Sequence, residues 1–200
     1  MFKNVLVLSP HTDDAELGAG GTIAKLAEKK SDITLFAFSW CDSQENIKAV
    51  KKATKILDIN KLKIFDFKRR YFPQKRQEIL QILYDYNKQN NPDLVLTPST
   101  NDLHQDHITV TQEAMRAFKK STILGYEMPW NNIQMTTNSF IPLEEKHVKK
   151  KIESLTLYTT QENRYYFSEE YFRSILKMRG TQIQSEYAET FEVIKFVPKI

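Results

Sequence analysis

The sequence has little cysteine and little glycine, and it has no long hydrophobic run. Its single cysteine, Cys41, excludes an internal disulfide bond, so we expect a protein of the reducing cytoplasm. Five glycines among 200 residues exclude a glycine-rich repeat or linker architecture. No apolar segment approaches the length of a membrane span, and the first apolar segment is too short and wrongly flanked to be a signal peptide.

The remaining composition is that of an ordinary globular protein. Hydrophobic residues make up 40% of the chain and aromatic residues 12%, which is enough for a core that needs no disulfides. The length of 200 residues predicts a single domain over 1–200. The formal charge of +4 comes from lysines spread over helical segments, without a nucleic-acid-binding motif. We therefore expect no nucleic-acid partner.

Buried strands and helices alternate through the first part of the chain. Short continuous apolar runs predict strands, and apolar residues at helical spacing predict helices. Such alternation is typical of an α/β fold, here a Rossmann-like, mostly parallel sheet flanked by helices. The strands are predicted at 4–9, 33–40, 62–67 and 93–98, and the helices at 18–30, 44–58, 74–90 and 106–120.

The pattern changes after Lys120, which predicts a small C-terminal extension of helices and strands. A further strand is indicated at 122–127, whereas 130–142 has no helical period and predicts a loop or hairpin. The segment from Ile133 to Phe140 and the C-terminal tail are the parts that a homo-oligomer would use for contacts. Helices are predicted at 144–158 and 168–179, and a final strand lies within 186–198.

Three of the four histidines fall in two short polar clusters, each directly after a predicted strand. Right-handed crossovers give the strand order 3-2-1-4, so the strands at 4–9 and 93–98 become neighbours. Their carboxyl ends open the crevice in which α/β sheets bind ligands, so we expect the two clusters to meet there. The clusters read Ser9-Pro10-His11-Thr12-Asp13-Asp14-Ala15-Glu16-Leu17-Gly18 and Asn101-Asp102-Leu103-His104-Gln105-Asp106-His107.

The clusters contain the ligand types of a catalytic zinc site. Two histidines and one carboxylate suit Zn²⁺ with a fourth position left for water. His11 and Asp14 are three residues apart on a tight turn, and His107 supplies a third ligand from the neighbouring loop. The sequence therefore predicts a zinc site made by these three residues.

The remaining polar residues of the clusters suggest hydrolysis. Bound zinc lowers the pKa of water to about 7. Asp13 is a spare carboxylate beside the predicted ligands and would act as the general base. His104 would face the developing oxyanion or protonate the leaving nitrogen, with Asp106 fixing its tautomer.

Three alternatives compete with this interpretation. Asp13 or Asp14 is also a normal helix cap, and His104 and His107 are ordinary loop residues when each cluster is taken alone. Two histidines and a carboxylate also describe non-haem Fe(II) enzymes. A catalytically silent glycan-binding module with a metal centre would keep the same ligands.

Both clusters resemble the motifs of the PIG-L/LmbE family of metal-dependent de-N-acetylases. That family's His-Pro-Asp-Asp-x-Glu is similar to residues 11–16, with Thr12 in place of proline, and its His-x-Asp-His matches residues 104–107. The resemblance implies an LmbE-like fold and the same zinc ligands, general base and assisting histidine as above. It also implies a substrate class, an N-acetylated amino sugar in a glycoside, sugar nucleotide or glycolipid.

The substrate contacts are less well defined by the sequence. Many members of that family carry an arginine at the start of the second helix, whereas residues 43–46 contain none, which indicates a different sugar. Aromatic faces pack well on pyranose rings. The candidate substrate contacts are Trp40, Tyr126, Trp130 and Arg164.

Overall fold

The computed structural model describes residues 2–198, and within them seven strands form one sheet. The strands are β1 (Asn4–His11), β2 (Asp32–Ser39), β3 (Lys61–Ile64), β4 (Leu94–Pro98), β5 (Thr122–Tyr126), β6 (Ser139–Leu143) and β7 (Tyr187–Lys195). Their order across the sheet is β3-β2-β1-β4-β5-β7-β6. The first five run parallel, and β7 runs antiparallel to both β5 and β6.

Six α-helices accompany these strands in the described part of the chain. They are α1 (Asp14–Glu28), α2 (Gln44–Ile56), α3 (Arg76–Asn90), α4 (Gln105–Ala117), α5 (Glu145–Leu155) and α6 (Glu169–Thr181). None of the helices within residues 2–198 is long and apolar enough to cross a membrane.

The continuous apolar run of β1 is explained by its burial on both faces. Successive side chains of a strand point to opposite sides of the sheet. Val5 and Val7 belong to one core cluster, whereas Leu6 and Leu8 belong to the cluster on the other side. All four side chains are fully buried. Helices therefore cover both faces of the sheet, as a mostly parallel sheet requires.

The predicted α/β class and the strand order 3-2-1-4 are confirmed. Several boundaries differ from the prediction by a few residues, and two of them lie near the carboxyl ends of the strands. The helix expected from position 18 begins at Asp14, because its first turn is polar and carries no apolar period. The strand expected to reach position 67 ends at Ile64, and the aromatic residues that follow it lie in a loop.

The segment at 130–142 contains a strand that the sequence did not resolve from a loop. Residues 139–143 form β6, which pairs with β7 rather than with a sequence neighbour, and α5 and α6 lie between the two strands in the chain. Because its pairing partner is distant in sequence, local patterning carries little information about this strand.

Gly18 sets the distance between α1 and the sheet. A Cβ atom at this position would overlap the ring of Tyr126 on β5. That ring is fully buried, and its hydroxyl donates a 2.9 Å hydrogen bond to the Leu8 carbonyl oxygen. Tyr126 is therefore a core residue that holds two strands and a helix together, which corrects its prediction as a substrate contact.

We expect Gly18→Ala to lower the free energy of unfolding by about 1–3 kcal/mol, the usual range for overpacking. The added methyl group has no space beside Tyr126. Urea denaturation measures the loss. Gly20→Ala is the matched control in the same helix, since its methyl would lie 3.0 Å from Cγ of Lys151, a looser contact than the overlap at Gly18, and should cost less. Equal losses in the two variants would contradict the close approach of α1 to β5.

Candidate metal centre and active site

The two polar clusters meet at the carboxyl ends of β1 and β4, which are adjacent in the sheet. His11 ends β1 and Asp14 begins α1, while His104 caps the N-terminus of α4 and His107 lies in its first turn. They line a crevice of about 1090 Å³, open solvent at its mouth included. The meeting of the clusters predicted from strand order is therefore what the structure shows.

Three donor atoms form a nearly equilateral triangle at the bottom of the crevice. Asp14 Oδ2 lies 3.2 Å from His11 Nδ1 and 3.2 Å from His107 Nε2, and the two nitrogens are 3.3 Å apart. A tetrahedral zinc ion with bonds of about 2.0–2.1 Å would hold its donors about 3.3–3.4 Å apart. The triangle therefore has the size that such an ion requires.

The outer sides of both histidines are bonded to carboxylates. His11 Nε2 lies 3.0 Å from Asp106 Oδ2, and His107 Nδ1 lies 2.7 Å from Asp102 Oδ2. A carboxylate accepts a hydrogen bond from an N–H group, so the ring protons lie on His11 Nε2 and His107 Nδ1. The lone pairs of His11 Nδ1 and His107 Nε2 therefore face Asp14. Three acceptors facing one point repel one another without a cation between them, so the donor set fits a metal ion.

A proton provides that cation in the metal-free protein. Burial would lower the pKa of His107, but the negative charges of Asp14 and Asp102 outweigh it and raise this pKa to about 10. The pKa of Asp14 is held well below its usual value by His107 and His11, although burial opposes this. His107 is therefore protonated between two carboxylates where a neutral ligand would be needed for zinc.

His104 lies beside the triangle rather than within it. The three histidines each offer a ligand atom within 4.8 Å of one another, which makes a second possible ligand set. However, the Nδ1 atom of His104 accepts the backbone N–H of Asp106 at 3.1 Å, and its ring stacks on His107. Burial lowers the pKa of His104 to about 4, so the ring is neutral at pH 7. The shorter distances favour Asp14 as the third ligand.

Asp106 bonds His104 through its backbone N–H, which sets the tautomer of that ring, and not through its carboxylate. Its fully buried carboxylate bonds His11 and accepts the backbone N–H groups of Arg70 and Phe72, and it lies 4.0 Å from Nδ1 of His104. Asp106 lies in the first turn of α4, where its backbone N–H donates to His104 Nδ1. Its side chain points instead toward His11 at the end of β1. The carboxylate thus orients His11, while the backbone N–H orients His104.

Asp102 is the functional residue that the sequence reasoning missed. It is buried, bonds His107 and accepts the backbone N–H of His104 at 2.8 Å. Its presence in the second cluster was visible, but a turn residue five positions before a ligand gives no signal of the pairing. Only the fold of the loop before α4 brings the two side chains together.

Asp13 is buried at the crevice without a side-chain cap bond to α1. The structure thus gives no support to Asp13 as a simple helix cap. Burial, together with the charge of Asp14, raises the pKa of Asp13 to about 6. A carboxylate with this pKa is ionised at neutral pH and still basic enough to accept a proton.

Glu16 lies behind the motif as a buried acid. The Tyr158 hydroxyl is 2.7 Å from the Thr12 carbonyl oxygen and 2.9 Å from Glu16 Oε1. One hydroxyl proton cannot serve both acceptors, so a protonated Glu16 completes the network by donating to Tyr158. Burial raises the pKa of Glu16 to about 8, which agrees with a neutral acid at pH 7.

Two of the four candidate substrate contacts line the crevice. Trp130 and Arg164 lie in its wall, and the Trp130 ring stacks on Tyr166 with centroids 3.7 Å apart. Trp40 does not reach it, because its Nε1 donates to Asp66 Oδ1 at 2.6 Å outside the crevice wall. Several lining residues were not singled out from the sequence as substrate contacts: Ser43, Asn46, Arg69, Arg70, Thr160 and Tyr166.

The fold and this group of histidines and carboxylates are those of an α/β enzyme with a metal-type centre. A family model described as PIG-L, GlcNAc-PI de-N-acetylase, matches residues 6–118, which include both clusters. The chain belongs to the PIG-L family. The resemblance noted in the sequence is therefore confirmed, and the chain is an enzyme of the de-N-acetylase class.

Individual proteins agree with this membership. An uncharacterized deacetylase of Escherichia coli K12, YaiS, is 27% identical over 164 residues, which is 76% of this chain and 89% of that protein. Diacetylchitobiose deacetylase of Thermococcus kodakarensis is 25% identical over 231 residues, covering 99% of this chain and 84% of the relative.

A solved structure shows that the fold is shared more widely. GalB, the 4-carboxy-2-hydroxymuconate hydratase of Pseudomonas putida KT2440, superposes with a TM-score of 0.82 at 20% identity, covering 99% of this chain and 98% of GalB. This likeness shows the fold alone, because one fold carries different reactions.

We expect zinc binding to the metal-free protein to release at least about one proton at pH 7, since His107 must lose its proton to become a ligand and the carboxylates of Asp14 and Asp106 also raise the pKa of His11 against burial. Its pKa of about 10 in the metal-free protein means that zinc affinity rises with pH across the neutral range. Calorimetric titrations in two buffers of different ionisation enthalpy count the protons. In Asp102→Asn the pKa of His107 falls and fewer protons are released. Zinc affinity that is independent of pH between 7 and 9 would contradict this assignment.

Proposed function

We propose that the protein is a zinc-dependent hydrolase that removes an N-acetyl group from an amino sugar carried in a glycoside, sugar nucleotide or glycolipid. The observation that carries the proposal is the triangle of His11, Asp14 and His107. Beside it lies the buried carboxylate of Asp13, which makes no capping hydrogen bond to α1. Zinc bound there would supply a Lewis acid and an acidified water. The PIG-L membership supports removal of an acyl group from nitrogen.

Asp13 acts as the general base in this proposal. It takes a proton from the attacking water and later delivers it to the amine nitrogen that leaves the acyl carbon. Burial and the charge of Asp14 raise the pKa of Asp13 to about 6 in the metal-free protein, which keeps this carboxylate basic enough to accept a proton even when a neighbouring cation lowers the value.

His104 polarises the acyl oxygen in the same step. Because Nδ1 of His104 accepts the N–H of Asp106, the ring proton lies on Nε2, which is free to donate to the oxygen of the scissile carbonyl. The ring is neutral at pH 7, so it acts as a hydrogen-bond donor rather than as a cation.

Two other uses of the centre are less well supported. A non-haem Fe(II) enzyme needs open positions for oxygen and substrate at the metal but gives no role to a carboxylate such as Asp13. A silent glycan-binding module has no need of a base with a pKa near neutrality beside the ligands.

The substrate would lie against the wall formed by Trp130, Tyr166 and Arg164. The stacked rings of Trp130 and Tyr166 offer an apolar edge for a pyranose ring. This wall comes from residues 130–166, whereas the proposed metal ligands lie within residues 11–107. We therefore propose that residues 1–200 act as one LmbE-like domain.

Asp13→Asn is expected to lose about 10²–10⁴ of the catalytic rate while retaining zinc, since the base contributes to proton transfer and not to the ligand triangle. Asp14→Asn is the matched variant, because it removes a ligand and should lose zinc and activity together. Elemental analysis measures zinc, and NMR measures acetate released from a panel of N-acetylated amino sugars. Acetate release by Asp13→Asn at the native rate would reject the base assignment.

A further inference from the structure

The arginines of the chain fall into two groups. Of the seven in the sequence, four form ion pairs with carboxylates in the described residues, and three do not. All three without an ion pair, Arg69, Arg70 and Arg164, line the crevice above the metal centre. The paired arginines lie elsewhere: Arg76 and Arg116 with Glu113, Arg173 with Glu145, and Arg179 with Glu127.

The carboxylates of the crevice do not account for this positive charge. Asp13 and Asp14 line the crevice, and Asp102 and Asp106 are bonded to its histidines. Asp14 lies against two histidines, whereas Asp102 and Asp106 bond one histidine each and also accept backbone N–H groups. None of them forms an ion pair with an arginine within residues 2–198. Arg69 and Arg70 therefore line the crevice without an ion-pair partner among the described residues.

The loop that carries Arg69 and Arg70 is fixed to the metal centre. Arg70 has a left-handed backbone with φ of 70°, which few residues other than glycine adopt. Its N–H donates to Asp106 Oδ2 at 2.6 Å, and its carbonyl oxygen accepts from Gln105 Nε2 at 3.0 Å. Both partners belong to the second cluster. The position of this arginine is thus set by the same carboxylate that orients His11.

Arg164 approaches the crevice from a different segment, between α5 and α6. Its Nε atom donates to Gln161, a neutral partner, and its charge contributes to lowering the pKa of Asp13 against the larger effect of burial. The crevice therefore receives positive charge from two separate segments of the chain.

We propose that the amino-sugar substrate carries an anionic group, which the guanidinium groups of Arg69 and Arg70 bind together with that of Arg164. This rests on the proposed function and adds the charge of the substrate to it. Guanidinium groups match phosphate and carboxylate oxygens with paired hydrogen bonds, whereas a neutral sugar offers only hydroxyl and amide groups. The anion is either a phosphoryl group linked to the sugar or a sugar carboxylate.

The first test measures anion binding without any sugar. Metal-free protein prepared with a chelator is titrated by calorimetry with inorganic pyrophosphate and with glucuronate, so that neither anion can bind zinc. We expect the favoured anion to bind at least about tenfold more weakly to Arg69→Gln and to Arg70→Gln than to the native chain, since a charged hydrogen bond is lost. The anion that binds more tightly to the native chain shows whether the substrate group is a phosphoryl group or a carboxylate.

Lys68→Gln is the matched control for general charge. It removes one positive charge from the same loop, but Lys68 lies over the Tyr71 ring and does not line the crevice. It should bind both anions as the native chain does. Native-like anion binding by both arginine variants, or an equal loss in Lys68→Gln, would overturn the proposal. Urea denaturation of every variant checks that it is folded.

The second test separates this inference from the proposed function. Zinc-loaded protein is assayed for acetate release from N-acetylglucosamine 1-phosphate, N-acetylglucosaminuronic acid and the neutral methyl glycoside of N-acetylglucosamine. We expect higher kcat/KM for one anionic compound, with a rise in KM in Arg70→Gln for that compound alone. Equal kcat/KM for all three compounds, unchanged in Arg70→Gln, would support deacetylase activity and reject the proposal that the substrate carries an anionic group. No acetate from any compound, with arginine-dependent binding of pyrophosphate or glucuronate, would reject the deacetylase and leave the anion site.

Discussion

The structure of the site depends on Asp14 Oδ2, His11 Nδ1 and His107 Nε2, which face one another at 3.2–3.3 Å. Such crowding is unfavourable without a cation, so the surrounding protein must hold the side chains in place. Asp102 and Asp106 do this by bonding the far nitrogens of the two histidines. The parallel pairing of β1 with β4 then sets the distance between the two histidine clusters, because it places the ends of both strands side by side.

Asp106 connects the histidines of the site to the loop that carries Arg70. One carboxylate orients His11 and accepts the backbone N–H of Arg70. Its own N–H, in turn, fixes His104 as the cap of α4. A change at this position would therefore disturb His11, His104 and the backbone of Arg70 together. These hydrogen bonds hold the loop that follows β3 against the second histidine cluster.

The fold supplies the place of the reaction, and the side chains supply its kind. The same sheet topology occurs in a hydratase that is only 20% identical to this chain. What makes this crevice suited to amide hydrolysis is the pairing of a closed ligand triangle with Asp13, whose pKa of about 6 results from burial beside Asp14. The exposed arginines and the stacked Trp130 and Tyr166 line the same crevice and are specific to this chain rather than to the fold.

The sequence by itself determined the α/β class, the strand order 3-2-1-4 and the meeting of the two histidine clusters, because buried strands have a clear apolar pattern and crossovers have a fixed hand. Only the tertiary structure assigned Asp102 to His107 and Asp106 to His11, placed Tyr126 in the core, and paired β6 with β7. Hydrogen bonds and strand pairs between residues far apart in the chain leave no local pattern. They are decided by which side chains the packed helices and strands bring within reach.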